Sequence, residues 1–324
     1  MARQTRKKKK IYKKTKEGVY VGGTGSERCV FVTFIDAEGL GNQLFIYATG
    51  HLVSKKTQIP LCIISKKNNP HSKMDYRTFL NANLMEESNV KSRLNSAKPM
   101  LEHVPGIVGK WSNANIHYNA TKNTKNLVLP GRLYQNYFSV KPAIAHVKAL
   151  LLKNEFSKPN YQEFKDRFDS KHTAFMHIRR GDYIGRNWNL PNEYYCKGLK
   201  ELDKNPDIKK ICIISDDLNW CKTEHSMWNS NAPEKVVYVD DIIGRKPDEL
   251  ETMYVMTLCE GGAVMSNSTF SCWGAMMGPE LVRLGGNSNV TIVYPSPWVQ
   301  TNGKDPNPLS FPDEWIPHEN TNIK

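Results

Sequence analysis

The sequence predicts an α/β fold whose C-terminal half is a parallel, doubly wound sheet, and three observations carry that prediction. From Thr173 onward, apolar runs at 173–178, 208–215, 235–240, 261–266 and 289–294 alternate with helical patterns near 191–204, 217–228, 247–260 and 270–284. Alternation of this kind builds parallel sheets with right-handed crossovers. Near the N-terminus, the run from Cys29 to Ile35 leads through a Gly-containing turn into another helical pattern. The 324 residues suffice for two domains, or for one large α/β domain with extensions.

Taken in order, Cys29 to Ile35 reads as a buried strand and Glu38-Gly39-Leu40-Gly41-Asn42 as a tight turn. Leu44, Phe45, Ala48 and Leu52 then fall on one helical face. Ile59 to Ile64 is a second strand; residues 66–126, rich in Asn, Lys and Ser, hold loops or short helices. Leu127 to Tyr134 resumes strand character, and a helix runs through Ile144, Val147, Leu150 and Leu151. The 247–260 helix is the clearest of the second half. Pro247 suits its first turn, Asp248 and Glu249 favour the positive dipole end, and Leu250, Met253, Tyr254, Thr257 and Leu258 form one face.

The net charge of +13 suggests a polyanion partner until its distribution is read. Nine basic residues and no acidic ones lie in residues 1–16, so removing them leaves +4 for the rest. That tail suits a nucleic-acid arm, a nuclear-localisation signal, a membrane-surface patch or a solvated extension. No apolar run approaches the ~20 residues that span a bilayer, and the N-terminus lacks the apolar core of a signal peptide. Seven cysteines without paired spacing suggest reduced thiols. A soluble cytoplasmic protein is expected, with the acceptor patterns at Asn119, Asn267 and Asn289 unglycosylated.

Chemistry concentrates where strands end. Ala174 to Ile178 stops at Arg179-Arg180-Gly181-Asp182, placing two guanidinium groups at the carboxyl end of a buried strand. Open α/β sheets bind ligands there, and the guanidinium fork matches a diphosphate. Ile211 to Ile214 leads into Ser215-Asp216-Asp217, whose carboxylates can hold a cation, accept from ribose or a guanine edge, or cap a helix. The pair Asp240-Asp241 shares that ambiguity. After Ala263-Val264-Met265, the run Ser266-Asn267-Ser268-Thr269-Phe270-Ser271 offers hydroxyls and a helix N-terminus to phosphate. The turn Gly39-Leu40-Gly41-Asn42-Gln43 allows close backbone approach and adds two amides. No Gly-Lys-Ser/Thr phosphate loop, His-Glu-x-x-His or Cys-x-x-Cys pattern occurs. The residues describe an enzyme or binder for a diphosphate nucleotide that uses arginines in place of a phosphate-loop lysine.

Four blocks in this order resemble the α1,2-fucosyltransferases of glycosyltransferase family 11: Gly39 to Ala48, His177 to Tyr183, Ser215-Asp216-Asp217 with Trp220, and Met253-Tyr254 through Ser266 to Ala275. The chain departs from that pattern at Glu38, and at Cys272, where the family has a second Trp. The resemblance implies a GT-B-like fold of two Rossmann-type halves, with the donor nucleotide bound mainly by the C-terminal half. It divides the chain into a basic tail (1–28), an N-terminal acceptor-side domain (29–160) and a C-terminal donor-binding domain (161–324). It also implies inverting transfer of L-fucose from GDP-β-L-fucose to the 2-hydroxyl of a galactose-type glycan, without a metal or other cofactor. Donor contacts would come from His177, Arg179, Arg180, Asp216, Asp217, Asn267, Ser268, Thr269 and Ser271, with Arg179 on the β-phosphate. Gly41, Asn42, Gln43 and Glu193 would face the cleft on the acceptor side. Asp182, with Glu193 second, is the nearest candidate for the general base, or else it braces an arginine. Another sugar donor or linkage, and polyanion binding through the tail, are the competing readings.

Overall fold

Val30, Phe31 and Val32 of strand β1 (Val30–Thr33) are fully buried, as the apolar run predicts. The computed structural model describes residues 13–14, 20–21, 29–34, 39–65, 80, 83–86, 127–129, 135–153, 158–298 and 310–320. Of the basic tail only the two-residue antiparallel pairing of Lys13–Lys14 with Tyr20–Val21 is described; the rest of 1–28, and nearly all of 66–126, lie outside those residues. The chain divides into two compact units, Met1–Tyr134 and Gln135–Lys324.

In the first unit, β1 is followed by α1 (Leu40–Thr57), β2 (Leu61–Ser65), β3 (Asn83–Glu86) and β4 (Leu127–Val128). All pair in parallel, in the order β3-β2-β1-β4. Helix α1 packs on β1 and β2. It is buried around most of its girth rather than along one stripe: Gln43, Thr49, His51 and Ser54 are buried, whereas the predicted core residue Leu52 is half-buried. Ser54 Oγ answers its burial by donating to the Ile59 carbonyl at 2.6 Å. On the sheet, Cys29 and Cys62 form a small core with Phe31 and Ile64.

The second unit opens with α2 (Tyr137–Val140), a 3₁₀ turn at Lys141–Ala143, α3 (Ile144–Lys153) and α4 (Lys158–Arg167). The unit therefore begins at Gln135, ahead of the expected 160/161 boundary. Helix α3 packs on the second half, where Tyr254 Oη donates to the Leu151 carbonyl at 2.9 Å. Strand β5 (Thr173–Ile178) follows, buried at every position, then α5 (Gly181–Arg186), α6 (Asn192–Asp203), β6 (Lys210–Ser215), α7 (Leu218–Thr223) and α8 (His225–Asn231). Next come β7 (Val236–Tyr238), α9 (Val239–Ile243), α10 (Glu249–Leu258) and β8 (Gly262–Val264). Helix α11 (Thr269–Ala275) runs through a π turn at Met276–Glu280 into Leu281–Leu284, before β9 (Thr291–Ser296) and β10 (Ile316–Glu319).

The six strands are parallel in the order β10-β9-β8-β5-β6-β7. Numbered along the unit this is 3-2-1-4-5-6 read from the β7 edge, the dinucleotide-binding arrangement. Helix α6 packs with α8 and over β5, β8, β9 and β10, while α10 packs with α11 and the π turn lies on β8 and β9. The doubly wound parallel sheet read from the alternation is thus present.

Three expectations are corrected locally. The pattern near 217–228 is two helices, broken at Glu224, which ends α7 and starts α8. The run 235–240 leaves the sheet at Tyr238, and Asp240 and Asp241 occupy the first turn of α9. Pro247 precedes α10 instead of entering it: Asp248 is the N-cap, accepting from Glu251 N, while the Glu251 carboxylate accepts from Asp248 N. This reciprocal capping box satisfies two donors that a helix start leaves orphaned.

Candidate active site

Strand progression in the second sheet reverses between β5 and β8. In open α/β sheets a crevice forms outside the strand ends at such a point. Register decides what gathers there. Ile178 lies opposite Ser215, so Arg179-Arg180 leave β5 beside Asp216-Asp217 leaving β6. Val264 lies opposite Met176, so Ser266 emerges beside His177 and Ile178.

Arg179 is held from two sides. Its Nη2 donates to Asp182 Oδ1 at 2.7 Å, and its Nη1 lies 3.1 Å from Asp216 Oδ2. Burial would lower its pKa, but the charges of Asp216 and Asp182 outweigh that and raise it, so the group stays a cation. The ring of Tyr183 lies 5.4 Å from its guanidinium carbon. Arg180 Nε donates to Asp217 Oδ2 at 3.2 Å, and its guanidinium stacks 3.6 Å from the Trp220 ring centroid. Arg186 approaches Asp182 Oδ2 at 3.6 Å. Three guanidinium groups and three carboxylates therefore interlock at this edge.

Across the reversal, His177 Nδ1 meets Ser266 Oγ at 2.8 Å, and its ring lies 5.8 Å from that of Phe270. Complete burial, with the Arg179 charge second, lowers the His177 pKa to about 3, so the imidazole is neutral at physiological pH. Ser271 Oγ donates within the turn, to the Ser266 and Ser268 carbonyls at 3.0 and 2.9 Å. Ser268 caps α11, accepting from Phe270 N. Tyr183 Oη donates to the Asn267 carbonyl at 3.3 Å, and Asn267 Nδ2 to the Trp188 carbonyl at 2.8 Å. These contacts tie the arginine segment to the hydroxyl-rich turn.

Residues 167–295, which contain every one of these groups, match the sequence pattern of glycosyl transferase family 11. That match covers less than half of the chain. It is 24% identical over 321 residues to an alpha-1,2-colitosyltransferase of Escherichia coli, covering 86% of this chain and 96% of that protein. It is 27% identical over 154 residues to the O-antigen biosynthesis glycosyltransferase WbnK of Escherichia coli, covering 46% of this chain and 45% of that protein. The chain thus spans less than half of WbnK in that match. A fucosyltransferase NodZ from Bradyrhizobium superposes with a TM-score of 0.46 at 13% identity, over 78% of this chain and 94% of that one.

The second unit brings together Arg179, Arg180, Asp182, Asp216 and Asp217 by direct contact, while His177 pairs with Ser266 across the reversal. Asn267, Ser268, Thr269 and Ser271 stand at the facing turn, with Thr269 half-buried at the helix start. Glu193 is exposed in the first turn of α6. Gly41, Asn42 and Gln43 form the first turn of α1 in the other unit, where Gly41 and Gln43 are buried and Asn42 is half-buried. Sequence reasoning missed Tyr183 and Trp188 as ties across the reversal. Tyr183 sits inside the arginine block, but its reach to Asn267 follows from tertiary placement alone. Among the described residues no group of three His, Cys, Asp or Glu could hold a metal ion, and no helix is long and apolar enough to cross a membrane.

Proposed function

We propose that this protein is a family 11 glycosyltransferase that transfers L-fucose from GDP-β-L-fucose to the 2-hydroxyl of a galactose-type acceptor, with inversion at the anomeric carbon and without a metal. The reading rests on the paired arginines at the sheet reversal, facing a helix start lined with hydroxyls. When the fucosyl–oxygen bond breaks, negative charge builds on the departing β-phosphate. A preorganised cation aimed at that charge is worth more in the transition state than in the ground state. Arg179 supplies it, while Arg180, Thr269 and the first amides of α11 supply further phosphate donors. His177 stays neutral and holds Ser266, shaping the turn.

In this mechanism the acceptor hydroxyl attacks the anomeric carbon from the face opposite the leaving diphosphate, and its proton passes to Asp182. Oδ1 of Asp182 is occupied by Arg179. A diphosphate that draws the guanidinium onto itself releases that oxygen, so donor binding prepares the base. Asp182→Asn is expected to lower kcat at least a hundredfold with a small change in GDP affinity. Equal turnover in that variant removes Asp182 from the role.

A second reading, transfer of a different glycosyl group, is favoured by the relative named as an alpha-1,2-colitosyltransferase. Incubation of the purified protein with GDP-fucose and terminal β-galactosides, with GDP release and product linkage recorded, separates the two. Fucosylated product with a 1,2 linkage supports the first reading. GDP binding without fucose transfer directs the search to other GDP-sugars, and preference for UDP defeats both. Undiminished transfer in EDTA is expected; loss restored by Mg²⁺ or Mn²⁺ would overturn the metal-free mechanism.

A further inference from the structure

We propose that Asp216 is the positioning residue that aims the arginine pair, and that Gly181 is glycine to leave room for it. Asp216 accepts twice from the segment leaving β5. Its Oδ1 takes the backbone N–H of Arg180 at 2.9 Å, and its Oδ2 lies 3.1 Å from Arg179 Nη1. One carboxylate thus fixes both the main chain at the arginines and the direction of the Arg179 side chain. A Cβ at residue 181 would stand 2.5 Å from Asp216 Oδ2, so the carboxylate would have to shift away. Gly181 has a negative-φ helical backbone, so its glycine is explained by this close approach and not by conformation.

The two carboxylates on Arg179 differ in kind. Asp182 belongs to the same short helix as Gly181 and is 40% exposed, whereas Asp216 comes from the neighbouring strand's end and is 27% exposed. Asp216 keeps its backbone partner even when a diphosphate recruits the guanidinium, so it is the fixed strut and Asp182 the exchangeable partner. Asp217 does the parallel service for Arg180, and is itself fixed by capping α7, where it accepts from Trp220 N at 3.2 Å. The carboxylates after β6 are therefore engaged with the arginines and a helix cap.

The proposal rests on the donor reading for its kinetic arm, and a double-mutant cycle tests it. Asp216→Asn retains shape and an acceptor for Arg180 N–H, so the fold is kept while the charge pairing with Arg179 goes. It is expected to lower kcat for transfer tenfold or more, with acceptor KM changed less than threefold. Gly181→Ala in the wild-type background is expected to lower kcat tenfold or more, but less than threefold when added to Asp216→Ala, because the clash is then gone. Additive losses overturn the proposal. A second arm needs no nucleotide: the Nη resonances of Arg179 are read in the free protein by ¹⁵N NMR. Separate, slowly exchanging signals are expected in the wild type, and averaged ones in Asp216→Asn and in Gly181→Ala. Averaged signals in the wild type, or unchanged signals in both variants, overturn it even if GDP turns out not to bind.

Discussion

The two units share a topological device and equip it differently. In each, the first strand of the sheet lies beside the fourth, so each has a reversal point: β1 next to β4 in the first unit and β5 next to β8 in the second. After β1 the described chain enters α1 through Gly39, with the amides of Asn42 and Gln43 in the opening turn. After β5 it meets Arg179 and Arg180, answered by three carboxylates. Topology supplies a reversal in both sheets; the side chains beside it differ in charge. The first unit presents neutral amide dipoles in its opening helical turn, and the second presents guanidinium cations.

Exchanging the cation for one of different shape tests this contrast most severely. Arg179→Lys keeps the charge and loses the fork that reaches Asp182 and Asp216. We expect kcat/KM for transfer to fall by about a thousandfold, the scale for removing a principal charge-stabilising donor. Steady-state kinetics with GDP-fucose checks it, and activity within tenfold of wild type would show that charge alone suffices.

The units differ next in how their interiors treat charge. Behind the second sheet Glu280 is fully buried in the π turn, where Pro279 cannot donate the usual helical hydrogen bond. Its carboxylate accepts from Tyr137 Oη, from Trp315 Nε1 at 2.9 Å and from Arg283 at 2.7 and 2.8 Å. Among the described residues of the first unit no carboxylate is buried. Removing one partner of such a group strands the rest, so Glu280→Ala should cost about 3 kcal/mol of stability. Urea unfolding followed by tryptophan fluorescence measures it; a change under 1 kcal/mol would mean the network relaxes freely.

A smaller effect follows from His177. The folded protein holds this imidazole near pKa 3, whereas an unfolded chain titrates near 6.5. The unfolded state then binds the proton that the buried ring refuses, so stability is full above 6.5 and declines as pH falls from there toward 3. His177→Asn should flatten that decline between pH 7 and 5, read as the difference in unfolding midpoints. Parallel pH curves for variant and wild type would show that the ring is protonated in the folded state.

Strand β5 was legible because its run is apolar apart from Thr173 and His177, and every position in it is buried. The bounds of α10 were legible to within two residues at either end, 247–260 against Glu249–Leu258, since its acidic start acts locally. Helix α5 was not, because Gly181-Asp182-Tyr183-Ile184-Gly185-Arg186 has two glycines and no apolar period. It is held instead by Asp182 on Arg179 and by Tyr183 on Asn267. For the site, the arginines and the hydroxyl turn announced themselves at strand ends. The service of Asp216 depends on the register between β5 and β6, which joins residues 36 positions apart. Such pairing has no local signature, so a carboxylate that orders an arginine reads in sequence like one that binds sugar.

The smallest effect belongs to the neutral unit, and it separates the two roles. Asn42 is half-buried at the start of α1, whereas its neighbour Gln43 is buried, so Asn42 is the more accessible of the two amides. If the first unit serves the acceptor, Asn42→Ala removes a neutral hydrogen bond worth about 1 kcal/mol, which corresponds to about a fivefold rise in acceptor KM. GDP affinity, set by guanidinium groups in the other unit, should stay within twofold by calorimetry. A variant that weakened GDP as much as it weakened the acceptor would place both ligands on the amides as well as the arginines, and the division of labour between the reversal points would be lost.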